Sequence, residues 1–223
     1  MRLLIILCSL WLVACGPKTD ILITQKPINF DSNREALSIQ YLKERHGITQ
    51  DNAQIEPRMV VVHWTVTPTF DKTFKAFNPS VLPNSRTGIS GASSLNVSSH
   101  FLVDRDGSIS QLLPTTTFAR HVIGLNYTAI GIENVADGKT LPLTHEQITA
   151  NINLINYLSE LHKIEYVIGH HEYQQFIGTE LWKETDPNYL TDKTDPGDAN
   201  MRRIRAGLAR LDLKPLPIYS VKN

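Results

Sequence analysis

The pattern of apolar and polar positions predicts five strands. Continuous apolar or β-branched runs, which are typical of strands buried on both faces of a sheet, begin at Met59 and Ala129. An Asp-Gly turn within residues 104–107 joins two further strands as a hairpin. The predicted strands cover residues 59–65, 97–103, 108–113, 129–135 and 166–168.

Apolar residues at helical spacing predict helices between and after these strands. Capping boxes, in which serine or threonine is followed three residues later by glutamate or glutamine, occur at 32–35 and 144–147. Each capping box opens a predicted helix, and Gly47 can end the first one. The predicted helices cover residues 32–46, 67–77, 144–161 and 198–211.

The alternation of strands and helices predicts a single α/β domain. Its central β-sheet should be mixed, because a hairpin is antiparallel while helical crossovers allow parallel pairs, and helices should flank it. We place this domain at residues 32–214 and a C-terminal tail at 215–223. Residues 78–95 are rich in Pro, Ser, Gly and Asn, and they predict a long loop that is either a binding element or a floppy insertion.

The N-terminus follows a different pattern. Residues 3–13 form an apolar run behind Met-Arg that is too short for an ordinary membrane span and is typical of a secretory signal. The run ends in Leu-Val-Ala-Cys at 12–15, which resembles the lipobox of bacterial lipoproteins. That resemblance implies a signal peptide over 1–14, a lipid on Cys15 and a lipidated tether over 15–31. The alternative is a plain signal peptide that contains a chance cysteine.

The lipoprotein resemblance implies where the protein acts. The mature chain would face the periplasm, anchored by lipid, and Gly16 after the cysteine favours the outer membrane because the aspartate of inner-membrane retention is lacking. Cys8 would be removed and Cys15 acylated, which leaves no disulfide partner in the mature domain. Lysine plus arginine equals aspartate plus glutamate at 22 each, so no charge excess points to nucleic acid.

Polar side chains interrupt the apolar pattern at the ends of predicted strands. His63, Glu133 and His170 each lie at such a position. A Pro-Gly turn before the last predicted helix carries Lys193 and Asp195. Imidazole and carboxylate are good zinc ligands, and a catalytic zinc takes three protein ligands and a water. Taken singly, each residue also fits a structural role: a hydrogen-bonded core histidine, a paired carboxylate or a surface turn.

Together these segments resemble the zinc-dependent N-acetylmuramoyl-L-alanine amidases of the amidase-2 group, whose fold peptidoglycan recognition proteins and amidase-type phage lysozymes share. The resemblance covers most of the chain after Pro57, and the matching segments occur in the family's order. They are Val-Val-Val-His-Trp-Thr at 60–65, Val-Ser-Ser-His-Phe-Leu-Val-Asp-Arg-Asp-Gly at 97–107, Ile-Gly-Ile-Glu-Asn at 130–134, Ile-Gly-His at 168–170 and Lys-Thr-Asp-Pro-Gly at 193–197.

The resemblance implies one zinc ion per chain, held by His63, His170 and Asp195. It implies that Glu133 is the catalytic glutamate, which takes a proton from water and delivers it to the leaving amine. It also implies that Lys193 stabilises the oxyanion of the tetrahedral intermediate. The bond cleaved would be the amide between N-acetylmuramic acid and L-alanine.

The substrate implied by the resemblance is peptidoglycan or a muropeptide released from it. His121 lies in a loop that borders the cleft in relatives, and we name it as a candidate substrate contact. The sequence leaves open the choice between intact sacculus and released muropeptide, and any preference for anhydro-muramic acid. Two other functions remain open: a non-catalytic peptidoglycan-binding lipoprotein on the same fold, and a zinc peptidase that cleaves the stem peptide.

The chain departs from the family in the spacing of its last two ligands. His170 and Asp195 are separated by 195 − 170 = 25 residues, so residues 172–192 constitute an insertion. The insertion offers a second Asp-Pro at Asp186, which is nearer the family's spacing. We favour Asp195 because a lysine precedes it by two residues and a glycine follows its proline, which lets the chain turn into the last helix. His171, beside His170, is not assigned a role.

Overall fold

A six-stranded mixed sheet forms the centre of the computed structural model, which describes residues 21–218. The strand order is β1-β4-β3-β5-β2-β6; β3 and β4 pair antiparallel and every other pair is parallel. The single α/β domain with a mixed sheet flanked by helices is thus confirmed. The strands are β1 Ile23–Gln25, β2 Met59–Trp64, β3 Phe101–Val103, β4 Ile109–Gln111, β5 Ala129–Asn134 and β6 Tyr166–Gly169.

The helices lie between the strands much as the periodicity predicts. Two of them, α4 and α5, contact each other. A short 3-10 helix follows β6 directly. The bounds are α1 Ser32–His46, α2 Phe70–Phe77, α3 Thr87–Ser90, α4 His145–Leu161, the 3-10 helix His170–Phe176 and α5 Asp198–Ala206.

The side chains of the central strand β2 alternate between two hydrophobic cores, one on each face of the sheet. Val60 and Val62 pack with apolar residues of α4 and α5. Met59 and Val61 face the opposite side, where they pack with the 3-10 helix. Because successive side chains of a strand point to opposite faces, His63 lies on the face away from α4 and α5. The site is therefore built on the side of the sheet that the long helix leaves uncovered.

The start of α4 confirms the predicted capping box. The Thr144 hydroxyl accepts a hydrogen bond from the Gln147 backbone N–H, and the Gln147 side chain accepts one from the Thr144 N–H. At α1 the predicted box is wrong in register. Asp31 is the N-cap residue and its carboxylate accepts the Arg34 N–H, so Ser32 is already the first helical residue.

Part of the segment predicted as tether belongs to the sheet. β1 pairs in parallel with β4, and the Ile28 N–H donates to the Leu112 carbonyl oxygen. Ile28 is also buried. The three-residue strand is too short to show a period in the sequence, and its stability comes from pairing with a hairpin that is distant in the chain. The folded domain therefore begins before Ser32.

Three other predicted segments differ in extent. The last helix ends at Ala206 rather than 211, because Gly207 follows as its C-cap. The regular strand predicted over 97–103 is limited to β3. The loop over 78–95 contains α3, and an isolated bridge joins Val81 to Leu95 across its ends.

No helix within residues 21–218 has the length and apolar character of a membrane span. The signal peptide, the lipidation site at Cys15 and the end of the C-terminal tail lie outside the described residues. These assignments therefore stay predictions.

Replacing the cap of α4 tests the account of how that helix begins. Thr144→Ala removes the acceptor of the Gln147 N–H and the donor to the Arg105 carbonyl oxygen, and we expect a loss of about 1–2 kcal/mol in the free energy of unfolding. Ser159→Ala is the matched control, because its hydroxyl donates only to the Ile155 carbonyl within the same helix. Urea unfolding of both variants measures the difference; equal losses would contradict the capping role.

Candidate active site

The carboxyl ends of three adjacent parallel strands bring the site together. His63 of β2 and Glu133 of β5 are direct partners in the strand register. On the other side of β2, Val62 pairs with Gly169, so His170 emerges from β6 beside His63. Because parallel strands end at the same edge of a sheet, this register alone places the two imidazoles and the carboxyl at one edge.

Asp195 joins them from the turn that precedes α5. The backbone of this turn is held by His171, whose N–H and Nδ1 both donate to the Asp195 carbonyl oxygen, at 2.9 and 3.0 Å. The Asp195 Oδ2 atom lies 3.0 Å from His170 Nδ1 and 3.3 Å from His63 Nδ1. The two Nδ1 atoms are themselves 2.9 Å apart.

These three donor atoms fit a zinc ion. All three residues are buried, and their ligand atoms lie within hydrogen-bonding distance of one another. Zinc bound at about 2.0–2.1 Å in tetrahedral geometry separates its ligand atoms by about 3.3 Å, which is close to the observed distances. Two nitrogens and one oxygen are ligands that zinc accepts readily. The residues predicted as zinc ligands therefore form a group that could hold the metal.

The charge states of the triad suit metal binding. Burial acts to raise the pKa of Asp195, but the neighbouring His170 and His63 outweigh it and hold that pKa well below its usual range. Burial, together with the neighbouring His63, lowers the pKa of His170 to about 4. Near neutral pH the group thus presents an ionised carboxylate and a neutral His170, which are the forms that coordinate a metal.

Glu133 and Lys193 line the same pocket as the triad. The pocket has a volume of about 410 Å³. Burial raises the pKa of the Glu133 carboxyl to about 7, although the nearby His63 acts in the opposite direction. Its Oε2 atom is buried and has no hydrogen-bond partner among the described residues. A carboxyl group with a pKa near neutrality can both accept and donate a proton, as a general acid–base requires.

His121 also lines the pocket, but its ring is engaged on both nitrogens. Nδ1 lies 3.1 Å from His63 Nε2, and Nε2 lies 3.1 Å from the Ala129 carbonyl oxygen. Burial, followed by the neighbouring His63, holds the pKa of His121 well below its usual value. The structure therefore places the predicted substrate contact directly against a member of the triad.

Three other potential ligands lie outside the triad. His171 turns away from it and places Nε2 2.9 Å from Asp198. The Glu172 carboxylate, which is close to His171, accepts hydrogen bonds from the Arg205 guanidinium and the Gly169 N–H. The carboxylate of Asp186 accepts the Asn188 N–H within its own turn.

The insertion at 172–192 forms part of the pocket wall. Its Tyr189 and Thr191 line the pocket, and the Tyr189 hydroxyl accepts a hydrogen bond from Arg120. The same guanidinium donates to carbonyl oxygens of the 78–95 loop, those of Ile89, Ser93 and Leu95. One buried arginine thus connects the insertion and the 78–95 loop at the pocket.

Two asparagines that support the site were not identified from the sequence. Asn134 donates to the His63 carbonyl oxygen and accepts from Asn151 of α4. Asn126 accepts the backbone N–H groups of His121 and Val122, both at 2.8 Å. A polar residue inside an apolar run, such as Asn134 next to Glu133, is the signal that could have revealed the first. Nothing in the loop sequence distinguishes the second.

A buried His-His-Asp group beside an acidic residue, at the carboxyl ends of parallel strands, defines the class of metal-dependent hydrolases. The model of the Amidase_2 family, described as N-acetylmuramoyl-L-alanine amidase, matches residues 50–198. The chain therefore belongs to this family of peptidoglycan hydrolases. A comparison with curated proteins gave no significant match.

Solved structures of similar fold agree with this assignment. The N-acetylmuramoyl-L-alanine amidase LysC from Clostridium intestinale is 21% identical with a TM-score of 0.53, covering 87% of this chain and 100% of its own. A selenomethionine derivative of AmpD is 22% identical with a TM-score of 0.53, covering 86% of this chain and 97% of its own. At these identities the similarity shows the fold alone.

Metal analysis of two aspartate variants tests the choice of third ligand. Asp195→Ala removes the carboxylate that contacts both imidazoles, and we expect the purified variant to lose its zinc. Asp186→Ala is the matched control and should keep one zinc per chain, because its carboxylate serves only the insertion and Arg45. Zinc retained in Asp195→Ala and lost in Asp186→Ala would reverse the assignment.

Proposed function

We propose that the protein is a zinc-dependent amidase that hydrolyses the bond between the lactyl group of N-acetylmuramic acid and L-alanine. The observation that carries this proposal is the convergence of His63, His170 and Asp195 beside Glu133 in one pocket of a family member. All three ligand positions are filled by metal-binding residue types, which favours a catalyst over a module that only binds peptidoglycan.

The proposed metal has one chemical task. A zinc ion held by the triad would supply Lewis acidity, which lowers the pKa of a water molecule toward neutrality and polarises the scissile carbonyl. The remaining steps belong to the chain's own residues. His170 stays neutral near pH 7, and Asp195 contributes the single negative charge of the ligand set.

Glu133 is the proposed general base and acid. Its carboxylate accepts a proton from the attacking water as the new carbon–oxygen bond forms. The same proton then passes to the nitrogen of L-alanine as the carbon–nitrogen bond breaks, which releases a lactyl carboxylic acid and a free peptide amine. A pKa near neutrality in the metal-free protein supports both transfers.

Lys193 is the proposed oxyanion stabiliser. Its side chain lines the pocket two residues before Asp195, and its charge lowers the pKa of Glu133, which places it within electrostatic range of the carboxyl. Negative charge develops on the carbonyl oxygen only during the reaction, so a nearby ammonium group stabilises the transition state more than the substrate.

We also propose that Cys15 carries lipid and anchors the enzyme, facing the periplasm, at the outer membrane. The Leu-Val-Ala-Cys segment supports this proposal. Several acyl chains would give stable anchoring, whereas one chain alone is marginal. The substrate would be peptidoglycan or muropeptides, which occur in the same compartment.

Mass spectrometry of digested peptidoglycan tests the proposed reaction. We expect stem peptides with a free L-alanine amine from the wild-type protein. Glu133→Gln keeps the shape of the side chain and removes the base, so it should retain zinc and lose at least about 100-fold in rate. Glu146→Gln, at the exposed first turn of α4, is the control and should keep full activity.

Three results would contradict the proposal in different ways. Peptidoglycan binding without cleavage would identify a binding lipoprotein. A new amino terminus other than L-alanine would identify a zinc peptidase. Near-normal turnover by Glu133→Gln would give Glu133 a structural role.

Detergent phase partitioning tests the lipid anchor. Wild-type protein expressed in a bacterium should enter the detergent phase, because its acyl chains bury apolar surface. Cys15→Ser should remain in the aqueous phase, while Cys8→Ser, which alters only the proposed signal peptide, should behave as wild type. Identical partitioning of wild type and Cys15→Ser would contradict lipidation.

A further inference from the structure

The ring of His121 is held in one orientation from several sides. Its backbone N–H donates to Asn126, and its Nε2 faces the Ala129 carbonyl oxygen. Gly131 lies against the ring; a Cβ atom there would come within 2.9 Å of its Cγ atom. The His100 ring packs edge-on against it, with 5.8 Å between ring centroids, and is itself tied to the Gly131 N–H. His121 therefore has little freedom to turn toward a substrate.

The acceptor at Ala129 determines where His121 carries its proton. A carbonyl oxygen can only accept, so Nε2 of His121 must be the protonated nitrogen. In the neutral ring the other nitrogen, Nδ1, is then an acceptor. Since Nδ1 of His121 lies 3.1 Å from Nε2 of His63, the proton of His63 must reside on Nε2.

This sequence of hydrogen bonds leaves His63 with a free lone pair on Nδ1. Nδ1 is the atom that lies 2.9 Å from His170 Nδ1 and 3.3 Å from Asp195 Oδ2. A hydrogen-bond acceptor behind a metal-binding histidine fixes its tautomer and ring orientation and raises its basicity.

We propose that His121 is a positioning residue, which through the relay Ala129 carbonyl–His121–His63 holds the Nδ1 lone pair of His63 toward the metal. This replaces the role of substrate contact for His121. The inference rests on the proposed zinc site. In this chain the group that accepts a hydrogen bond from the ligand histidine would be a neutral imidazole, that of His121. Asn126 and Gly131 serve the relay by fixing the backbone and the ring face of His121.

The protonation pattern of the wild-type protein gives the first test. Long-range proton–nitrogen NMR of the full chain labelled with nitrogen-15 histidine distinguishes the two neutral tautomers, and His63→Gln identifies the His63 signals. We expect the Nε2–H tautomer for His63 and for His121 in the metal-free protein. An Nδ1–H tautomer at His63 would overturn the proposal, whether or not the protein binds zinc.

Zinc affinity of substituted proteins gives the second test, by competition with a chromophoric chelator. His121→Leu removes the acceptor and should raise the zinc dissociation constant about 10–100-fold. His121→Asn should restore most of the affinity, because its Oδ1 can take the place of Nδ1. His162→Leu is the matched control; its ring contacts Thr115 away from the triad, and its affinity should not change.

The outcomes separate this inference from the proposed function. Unchanged zinc affinity in folded His121→Leu, with a raised KM for muropeptide, would make His121 a substrate contact and overturn the relay. Failure of the wild-type protein to bind zinc would refute the zinc amidase, while the His63 tautomer would still decide the relay. If His121→Leu does not fold, the wild-type tautomer and His121→Asn decide it.

Discussion

Three atoms that carry lone pairs, brought within 3.3 Å of one another in a buried place, are the constraint on which the site depends. Such atoms repel unless a proton or a cation lies between them. The protein holds them together by rigid means: strand register for two of them and a hydrogen-bonded turn for the third. The fold therefore holds these atoms in an arrangement that a shared proton or a bound cation stabilises.

The supports of the site come from both faces of the sheet. Behind β2 and β5, the side chains of Asn134 and Asn151 link the His63 carbonyl oxygen to α4. In front, Arg120 connects two long segments that wall the pocket. The charged group at the centre is thus surrounded by buried polar side chains whose partners are mostly backbone carbonyls. Buried hydrogen bonds of this kind favour one geometry, because each lost partner leaves a costly buried polar group.

Each site residue could be predicted from the sequence only where its position is determined by the local sequence pattern rather than by distant residues. His63, Glu133 and His170 were predictable, because a polar residue that ends a buried strand must lie at the edge of the sheet. Asp195 was distinguishable from Asp186 by its local chemistry alone. The place of His121 was not predictable, since its partners Ala129 and His63 come from different strands. The edge strand β1 likewise depends on contacts with distant residues, Ile109–Gln111.

If Cys15 carries the proposed lipid, the early entry of the chain into the sheet would limit the distance between the domain and the membrane. Because β1 begins at Ile23, eight residues (15–22) connect the proposed lipid at Cys15 to the sheet. The predicted tether has seventeen residues. Fully extended, eight residues span about 26–29 Å. If Cys15 is lipidated as proposed, the domain would be confined to a thin layer above the membrane. Access to intact peptidoglycan would then depend on the distance between the cell wall and the membrane, whereas freely diffusing fragments would reach the pocket without that restriction.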